Sequence, residues 1–332
     1  MFKNKTILVT GGTGSFGKEF IKTLSKKYGN QIKKLIIFSR DELKQYEMSQ
    51  IFDEKKHPYI RFFIGDIRDR ERVYKALKDV DYVIHAAALK QVTTSEYNPF
   101  ETIKTNVLGT QNIVDACIDN KVKKLVSLST DKASSPINLY GATKLCADKL
   151  VSSSQNTKGK IDYTACVVRY GNVMGSRGSV LPEFMKQSKN NLFKITNSDM
   201  TRFNILLEEG VELVLWSLKN ARGGEIFVPK IPSFKIMDLA RAIRPTCKIK
   251  IVGIRPGEKI HEEMISSSEG MNTIDIGKYY SILPSFCGYT RDQYIKKFGG
   301  KKVKVNFSYN SEENHDYLNI KQLKKIIKNF NF

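Results

Sequence analysis

The sequence predicts an α/β protein: a doubly wound parallel sheet carrying a smaller C-terminal lobe. Three observations carry this. Short apolar runs alternate with amphipathic stretches from Lys5 to Tyr170; the first run ends in the glycine turn Gly11-Gly-Thr-Gly14-Ser-Phe-Gly17; and after Asn172 the alternation loosens into glycine and proline punctuation at Gly175, Gly178, Pro182, Gly223, Gly224, Pro229, Pro232 and Pro256. Regular strand and helix alternation builds parallel sheets whose strands are covered on both faces. The expected sheet domain is 1–172 with a returning segment at about 205–252. The expected lobe is about 173–204 and 253–332.

Taken in order, Lys5-Thr-Ile-Leu-Val-Thr10 is a short buried strand, and Phe20, Ile21 and Leu24 follow the glycine turn at helical spacing. Strand, glycine turn and helix form the phosphate-binding entry of a dinucleotide (Rossmann) fold. The glycines let the backbone approach a pyrophosphate, and the helix N-terminus offers unpaired N–H groups. The second strand, Lys34–Ser39, ends in Ser39-Arg40-Asp41 instead of an acidic residue that would grip a ribose 2′-hydroxyl. An arginine there pairs with a 2′-phosphate, so NADP is the expected cofactor. The alternative is a solvated Arg40 with Asp41 capping the next helix.

The third strand runs from Arg61 to a terminal Asp66, placed to meet an adenine, and is followed by Ile67. The fourth, Tyr82-Val-Ile-His85, ends in Ala86-Ala-Ala88, small residues that leave room for a cofactor; His85 reads as a packed strand-end residue. Pro99 to Ile118 reads as a long amphipathic helix, Lys124 to Ser129 as the fifth strand, Tyr140 to Ser152 as a helix and Tyr163 to Arg169 as the sixth strand. There is no internal repeat and no flexible linker.

The fifth strand runs into Ser129-Thr130-Asp131-Lys132, and Tyr140-Gly-Ala-Thr-Lys144 follows at once. On a helix, Tyr140 and Lys144 share one face a turn apart. A cation beside a phenol favours the phenolate, so the pair is a workable acid/base. The spacing alone selects no chemistry; its position at the edge where open α/β sheets place their ligands does.

Composition limits the alternatives. The chain has 332 residues, 41% hydrophobic and 27% charged, with a net charge of +21, enough for a large core in one composite or two intimate domains. Its lysines are spread along the whole chain and not gathered into a basic arm, which argues against nucleic acid and suits an anionic ligand. Cys117, Cys146, Cys166, Cys247 and Cys287 form an odd set without Cys-x-x-Cys spacing, as expected of reduced thiols with no metal site. His57, His85, His261 and His315 make no ligand pair. No apolar run reaches bilayer length and the N-terminus enters a strand directly, so the expected protein is cytoplasmic and soluble, with no membrane partner.

Several segments together resemble the extended short-chain dehydrogenase/reductase superfamily, and within it the C5-inverting UDP-N-acetylglucosamine 4,6-dehydratases of pseudaminic acid biosynthesis. They are TGGTGSFGK from Thr10, FSRDELKQ from Phe38, RFFIGDIRD from Arg61, HAAALKQV from His85, STDKASSPINLYGATK from Ser129, VRYGNVMGSRGSV from Val168, GGEIFVPKIPS from Gly223 and GIRPGEK from Gly253. The resemblance implies NADP along Gly11, Gly14 and Gly17, with Thr13, Ser15 and Phe16 in the turn and Ser39, Arg40, Asp41, Glu42, Leu43 and Lys44 at its 2′-phosphate end. Asp66 and Ile67 would meet the adenine. Ala86, Lys90, Asn106, Tyr140, Lys144, Val173 and Arg177 would lie along the ribose and nicotinamide. Lys90, Asn172, Thr196, Arg202, Arg255 and Glu258 would face the UDP-sugar, UDP-N-acetylglucosamine. Thr93-Thr94 and Asn204 depart from the family pattern near the sugar.

Such a dehydratase removes hydride from C4, takes the C5 proton, expels the C6 hydroxyl and returns hydride to C6. Tyr140, its pKa lowered by Lys144, would take the C4 hydroxyl proton, and Thr130 would hydrogen-bond the same oxygen. Asp131 is the candidate acid at C6 and Lys132 the candidate base at C5, where retaining relatives carry Thr-Asp-Glu. These roles require Asp131 protonated and Lys132 neutral. The competing readings are a C5-retaining dehydratase, a nucleotide-sugar 4-epimerase, which needs no C6 acid, and a non-enzymatic NADP-binding regulator. Helices 99–118 and 140–152 resemble the faces through which relatives pair, so a homo-oligomer, dimer or hexamer, is expected.

Overall fold

A computed structural model of the chain describes residues 1–330 apart from Arg177 and Cys287. The first half alternates as expected: β1 (Thr6–Thr10), α1 (Ser15–Tyr28), β2 (Lys34–Ser39), α2 (Glu42–Ile51), β3 (Ile60–Ile64), α3 (Arg70–Ala76), β4 (Tyr82–His85), α4 (Val92–Tyr97), α5 (Pro99–Ile103), α6 (Gly109–Asp119), β5 (Lys124–Thr130), α7 (Leu139–Thr157) and β6 (Thr164–Tyr170). The helix expected over 99–118 is interrupted by a π-helical turn at Lys104–Leu108. Widening the helix there turns Asn106 inward, where its amide donates to the Leu89 carbonyl and accepts from the Leu89 N–H.

The remaining elements are β7 (Asn172–Val173), α8 (Val180–Ser188), β8 (Leu192–Ile195), β9 (Thr201–Ile205), α9 (Leu207–Asn220), β10 (Ile226–Pro229), β11 (Ser233–Lys235), α10 (Ile236–Ile243), β12 (Lys248–Ile251), β13 (Glu263–Ile265), α11 (Ser267–Gly270), β14 (Thr273–Asp275), β15 (Tyr279–Ile282), α12 (Arg291–Phe298), β16 (Lys301–Lys302), β17 (Tyr309–Asn310) and α13 (Ile320–Ile327).

The central sheet runs β3-β2-β1-β4-β5-β6-β10-β15-β14-β16. It is parallel from β3 to β10 and antiparallel beyond. β1, β2 and β4 are buried along almost their whole length, as expected of strands covered on both faces. β1 lies between β2 and β4, so the strand order reverses there and opens a crevice at the carboxyl ends of the strands.

The lobe has its own core, with Leu181, Phe184, Phe193, Phe234, Leu239 and Leu323 buried together. This divides the segment expected to return to the sheet. α9 and β10 do return, but β11, α10 and β12 belong to the lobe: β12 pairs in parallel with β8, and the apolar stripe of α10 is spent on the lobe core. Conversely β14, β15 and β16, expected in the lobe, extend the central sheet. Strand partners beyond residue 205 depend on distant residues, which local periodicity does not encode. Among the described residues no helix is long and apolar enough to cross a membrane.

Candidate active site

The crevice deepens into a cleft of about 960 Å³ between sheet and lobe. At one end β1 hands over to α1 through the glycine turn. Gly11 has φ +63°, and a methyl there would lie 2.9 Å from the Ala87 backbone; at Gly17 it would lie 2.4 Å from the Gly12 carbonyl oxygen. Only glycine lets β1, α1 and the 86–88 segment approach this closely. The α1 N-terminus has no side-chain cap and no acidic residue in its first turn, leaving its N–H groups and dipole for an anion. This end therefore fits a dinucleotide pyrophosphate.

Beside it, Thr13 Oγ1 meets Ser39 Oγ at 2.9 Å. Ser15, Phe16, Ile67, Ala86 and Lys90 line the same cleft. Arg40 sits 3.7 Å from Asp66, which also pairs with Arg68 at 2.7 Å, and Lys44 is paired with Asp41. Both cations expected at a 2′-phosphate thus already have carboxylate neighbours.

At the far end β5 delivers Thr130, and a 3₁₀ turn follows over Asp131–Ala133. Asn138 caps α7 by accepting from the Gly141 N–H and donates to the Gly257 carbonyl, tying the helix to the lobe. Tyr140 and Lys144 then project one turn apart into the cleft. Lys132 Nζ lies 3.1 Å from Asp131 Oδ1 and 2.8 Å from Glu262 Oε1, and Thr130 Oγ1 donates to Asp131 Oδ1 at 3.0 Å. Asp131 and Glu262 are 1% and 2% exposed, so two buried carboxylates share one ammonium.

Burial and charge push the three groups in different directions. Burial and then the Glu262 charge push the Asp131 carboxyl up, against Lys132. Burial opposes the Glu262 charge too, but Lys132 and Arg202 outweigh it and hold Glu262 below the ordinary carboxylate range. Burial likewise opposes the Lys132 charge, and the two carboxylates outweigh it, so Lys132 stays an ammonium. Asp131 is thus pushed toward the acid form expected of it, and Lys132 away from the expected neutral form.

Tyr140 also departs from expectation. Burial pushes its phenol up to about 12, and the opposing influences are Lys132 and the Thr130 hydroxyl. The Lys144 ammonium instead donates to the Leu128 carbonyl at 2.7 Å. Lys144 itself is lowered by burial, which Asp148 one turn further along α7 counters. His85 is consumed by Thr10 and Thr110 on its two ring nitrogens, and burial lowers it to about 3, a neutral packed residue.

The family model for "Polysaccharide biosynthesis protein" matches residues 7–284. The chain is 52% identical, over 98% of both chains, to the Campylobacter jejuni UDP-N-acetylglucosamine 4,6-dehydratase (inverting). It is 42% identical, over 100% of this chain and 98% of the other, to a protein of Rickettsia felis named UDP-glucose 4-epimerase. The X-ray structure of Pen from Bacillus thuringiensis superposes with a TM-score of 0.89 at 37% identity, covering 99% of this chain and 98% of that one. The chain belongs to the polysaccharide biosynthesis protein family.

Within this family member, most of the expected site residues meet in the one cleft, including Thr130, Asp131, Lys132, Tyr140, Lys144, Asn172, Val173, Thr196, Arg202, Arg255 and Glu258. Glu42, Leu43 and Asn106 do not line it. Glu42 and Leu43 face solvent because α2 starts immediately after its Asp41 cap, and Asn106 is buried against Leu89 and Thr143. Arg177 lies outside the described residues. Arg202 is spent on the carbonyls of Thr201, Ile260 and Lys259, so it organises the 258–262 segment and offers no free fork to a diphosphate.

The residue that sequence reasoning missed is Glu262, 130 positions from its partner Lys132. No motif marks it, since it stands in a His-Glu-Glu-Met stretch with the appearance of a solvated turn. Asp131 Oδ2, Asn172 Oδ1, Glu258 Oε2 and Glu262 Oε2 are buried cleft-lining oxygens with no hydrogen-bond partner among the described residues. Such atoms cost about 1–3 kcal/mol each when left unsatisfied, and hydroxyl donors of a ligand are the complement they call for.

Proposed function

We propose that this protein is a UDP-N-acetylglucosamine 4,6-dehydratase that inverts C5, acting with a nicotinamide cofactor, NADP, and supplying the first step of pseudaminic acid biosynthesis. The observation that carries this reading is the buried acid Asp131 beside Lys132 and Tyr140 in one cleft, together with the 52% identity to the inverting dehydratase. When bound, the nicotinamide accepts hydride from C4 and returns it to C6.

The chain's own residues do the proton work. Tyr140 receives the C4 hydroxyl proton, with Thr130 bonded to the same oxygen and Lys132 and Lys144 as the nearby cations. Asp131, kept protonated, gives its proton to the departing C6 hydroxyl. Lys132 faces C5. The buried floor of the cleft excludes water, which keeps the reduced cofactor and the 4-keto sugar from side reactions.

Proton NMR of the purified protein with UDP-N-acetylglucosamine tests this. The expected product is the L-arabino 4-keto-6-deoxy sugar, with one deuterium at C5 in heavy water and the C6 hydrogen drawn from C4. A D-xylo ring as the sole early product means retention. UDP-N-acetylgalactosamine without loss of water means a 4-epimerase, the name its Rickettsia relative carries; a buried C6 acid has no task in that reaction.

A further inference from the structure

On the dehydratase reading Lys132 takes the C5 proton, yet its contacts with Asp131 at 3.1 Å and above all with the Glu262 carboxylate at 2.8 Å favour the ammonium, which has no vacant site for another proton. The geometry resolves the conflict. Glu262 Oε1 is 2.8 Å from Lys132 Nζ, at hydrogen-bond distance, while Glu262 Oε2 is buried with no hydrogen-bond partner among the described residues. Glu262 is fixed from behind: its N–H donates to Ser311 Oγ at 2.9 Å, and Ser311 Oγ meets Thr201 Oγ1 at 2.7 Å. The charges facing Glu262 are Lys132 from the 3₁₀ turn, Arg202 from β9 at 3.6 Å and Lys259 from the preceding loop; those facing Lys132 are Asp131, Glu262, Arg202 and Lys259, with Tyr140 beside them.

We propose that Glu262 is the terminal acceptor of the C5 proton, acting through Lys132 as a relay, and is thus the positioning residue of the elimination step. The inference rests on the dehydratase reading above. Lys132 first passes one proton to Glu262 Oε1 and becomes a neutral amine; the C5–H bond then breaks as an N–H bond forms on that amine. Lys132 ends as the ammonium it was, Glu262 becomes neutral, and its negative charge is transferred to the enolate across C4 and C5. Asp131 then gives its proton to the C6 oxygen, which leaves as water. The division of labour follows from the counting of charges: one ammonium balances one carboxylate, Glu262 has Arg202 in addition, and so Asp131 is the one that keeps its proton.

The test is Glu262→Gln, which keeps size and hydrogen bonding and removes the proton acceptor. In single turnover with UDP-N-acetylglucosamine, oxidation at C4 should persist, so absorbance of reduced nicotinamide accumulates. Deuterium uptake at C5 should fall by about 10²- to 10⁴-fold, the range for a lost acid/base group, with KM little changed. The Lys132→Ala, Glu262→Gln double variant should exchange C5 no more slowly than Lys132→Ala alone, because the two act as one unit. If Glu262→Gln does not fold, Glu262→Asp decides: it keeps the charge but withdraws it by one methylene, and exchange should fall while C4 oxidation continues.

Wild-type C5 exchange in either variant overturns the relay. So does equal loss of C4 oxidation and C5 exchange, which a purely structural role predicts, and so does a double variant slower than Lys132→Ala. A wild-type protein that leaves UDP-N-acetylglucosamine unchanged overturns the dehydratase reading and the relay with it. Normal wild-type turnover combined with any of the first three results overturns the relay alone.

Discussion

A methyl group at Gly141 is the sharpest probe of how the two halves of the site are held together. Gly141 follows Tyr140 in the first turn of α7, and a Cβ there would sit 2.2 Å from the Lys132 carbonyl oxygen, 3.1 Å from its carbonyl carbon and 3.0 Å from the Pro136 side chain. The nearest obstacle is backbone, so no rotamer change relieves it. Ordinary contact begins at 3.4 Å, so α7 and the 131–133 turn must separate by about 1 Å, a shift of the size that costs catalysis about 100-fold. Overpacking of this kind costs about 1–3 kcal/mol, whereas glycine to alanine within an open helix stabilises by about 0.5–1 kcal/mol. The two effects oppose each other and the clash is the larger. Gly141→Ala should therefore lower Tm by a few degrees and lower kcat by about 10²-fold, while cofactor affinity, set mainly at the distant glycine turn, falls by much less than kcat. Thermal unfolding, steady-state kinetics and cofactor titration read all three. Unchanged kcat with unchanged or raised Tm would refute the coupling between Tyr140 and Lys132 through this contact.

Other outcomes follow from the same geometry. NADP should bind more tightly than NAD, by about tenfold, the lower end for one charge-assisted pair, because Arg40 and Lys44 must first loosen from Asp66 and Asp41; equal affinities by calorimetry would remove the 2′-phosphate site. Tyr140→Phe should abolish hydride removal, giving no reduced cofactor in a single turnover. Asp131→Asn should allow C4 oxidation and stall at elimination, and an identical early block in both variants would show the roles misassigned. Arg169 is fully buried between Asp148 at 3.3 Å and Glu269 at 2.9 Å, so Arg169→Met should cost about 3–5 kcal/mol by leaving carboxylates without their cation; urea unfolding checks it, and a loss below about 1 kcal/mol contradicts the ion-pair argument.

The residues of this sequence determine a good deal on their own. Local signals suffice wherever function lies in one strand–turn–helix unit. The glycine turn after β1, the strand ends at Ser39, Asp66 and Ala86, and the pairing of Thr130-Asp131-Lys132 with Tyr140 and Lys144 are each set within a few residues by φ, period and capping. The same is true of the parallel sheet up to β6, where apolar runs and amphipathic helices alternate. Family resemblance supplied the residues expected to face the sugar, and the described ones line the cleft.

Tertiary structure decided the ion pairs of the site and the returning segments. Lys132 reads from sequence as a base, but its charge is favoured by Asp131 beside it and by Glu262, which the lobe brings to 2.8 Å. Lys144 reads as the partner of Tyr140, but its ammonium is drawn to the Leu128 carbonyl. Arg202 reads as a free phosphate fork, but backbone carbonyls of the 259–260 segment occupy it. β11 and β12 differ from β14 and β15 in which core they join, not in local pattern. The physical reason is common to all of these: a pKa, an ion pair and a strand partner are set by groups close in space, and those groups are separated here by tens to more than a hundred residues of chain. Periodicity and turn chemistry reach only as far as the next helical turn or strand neighbour.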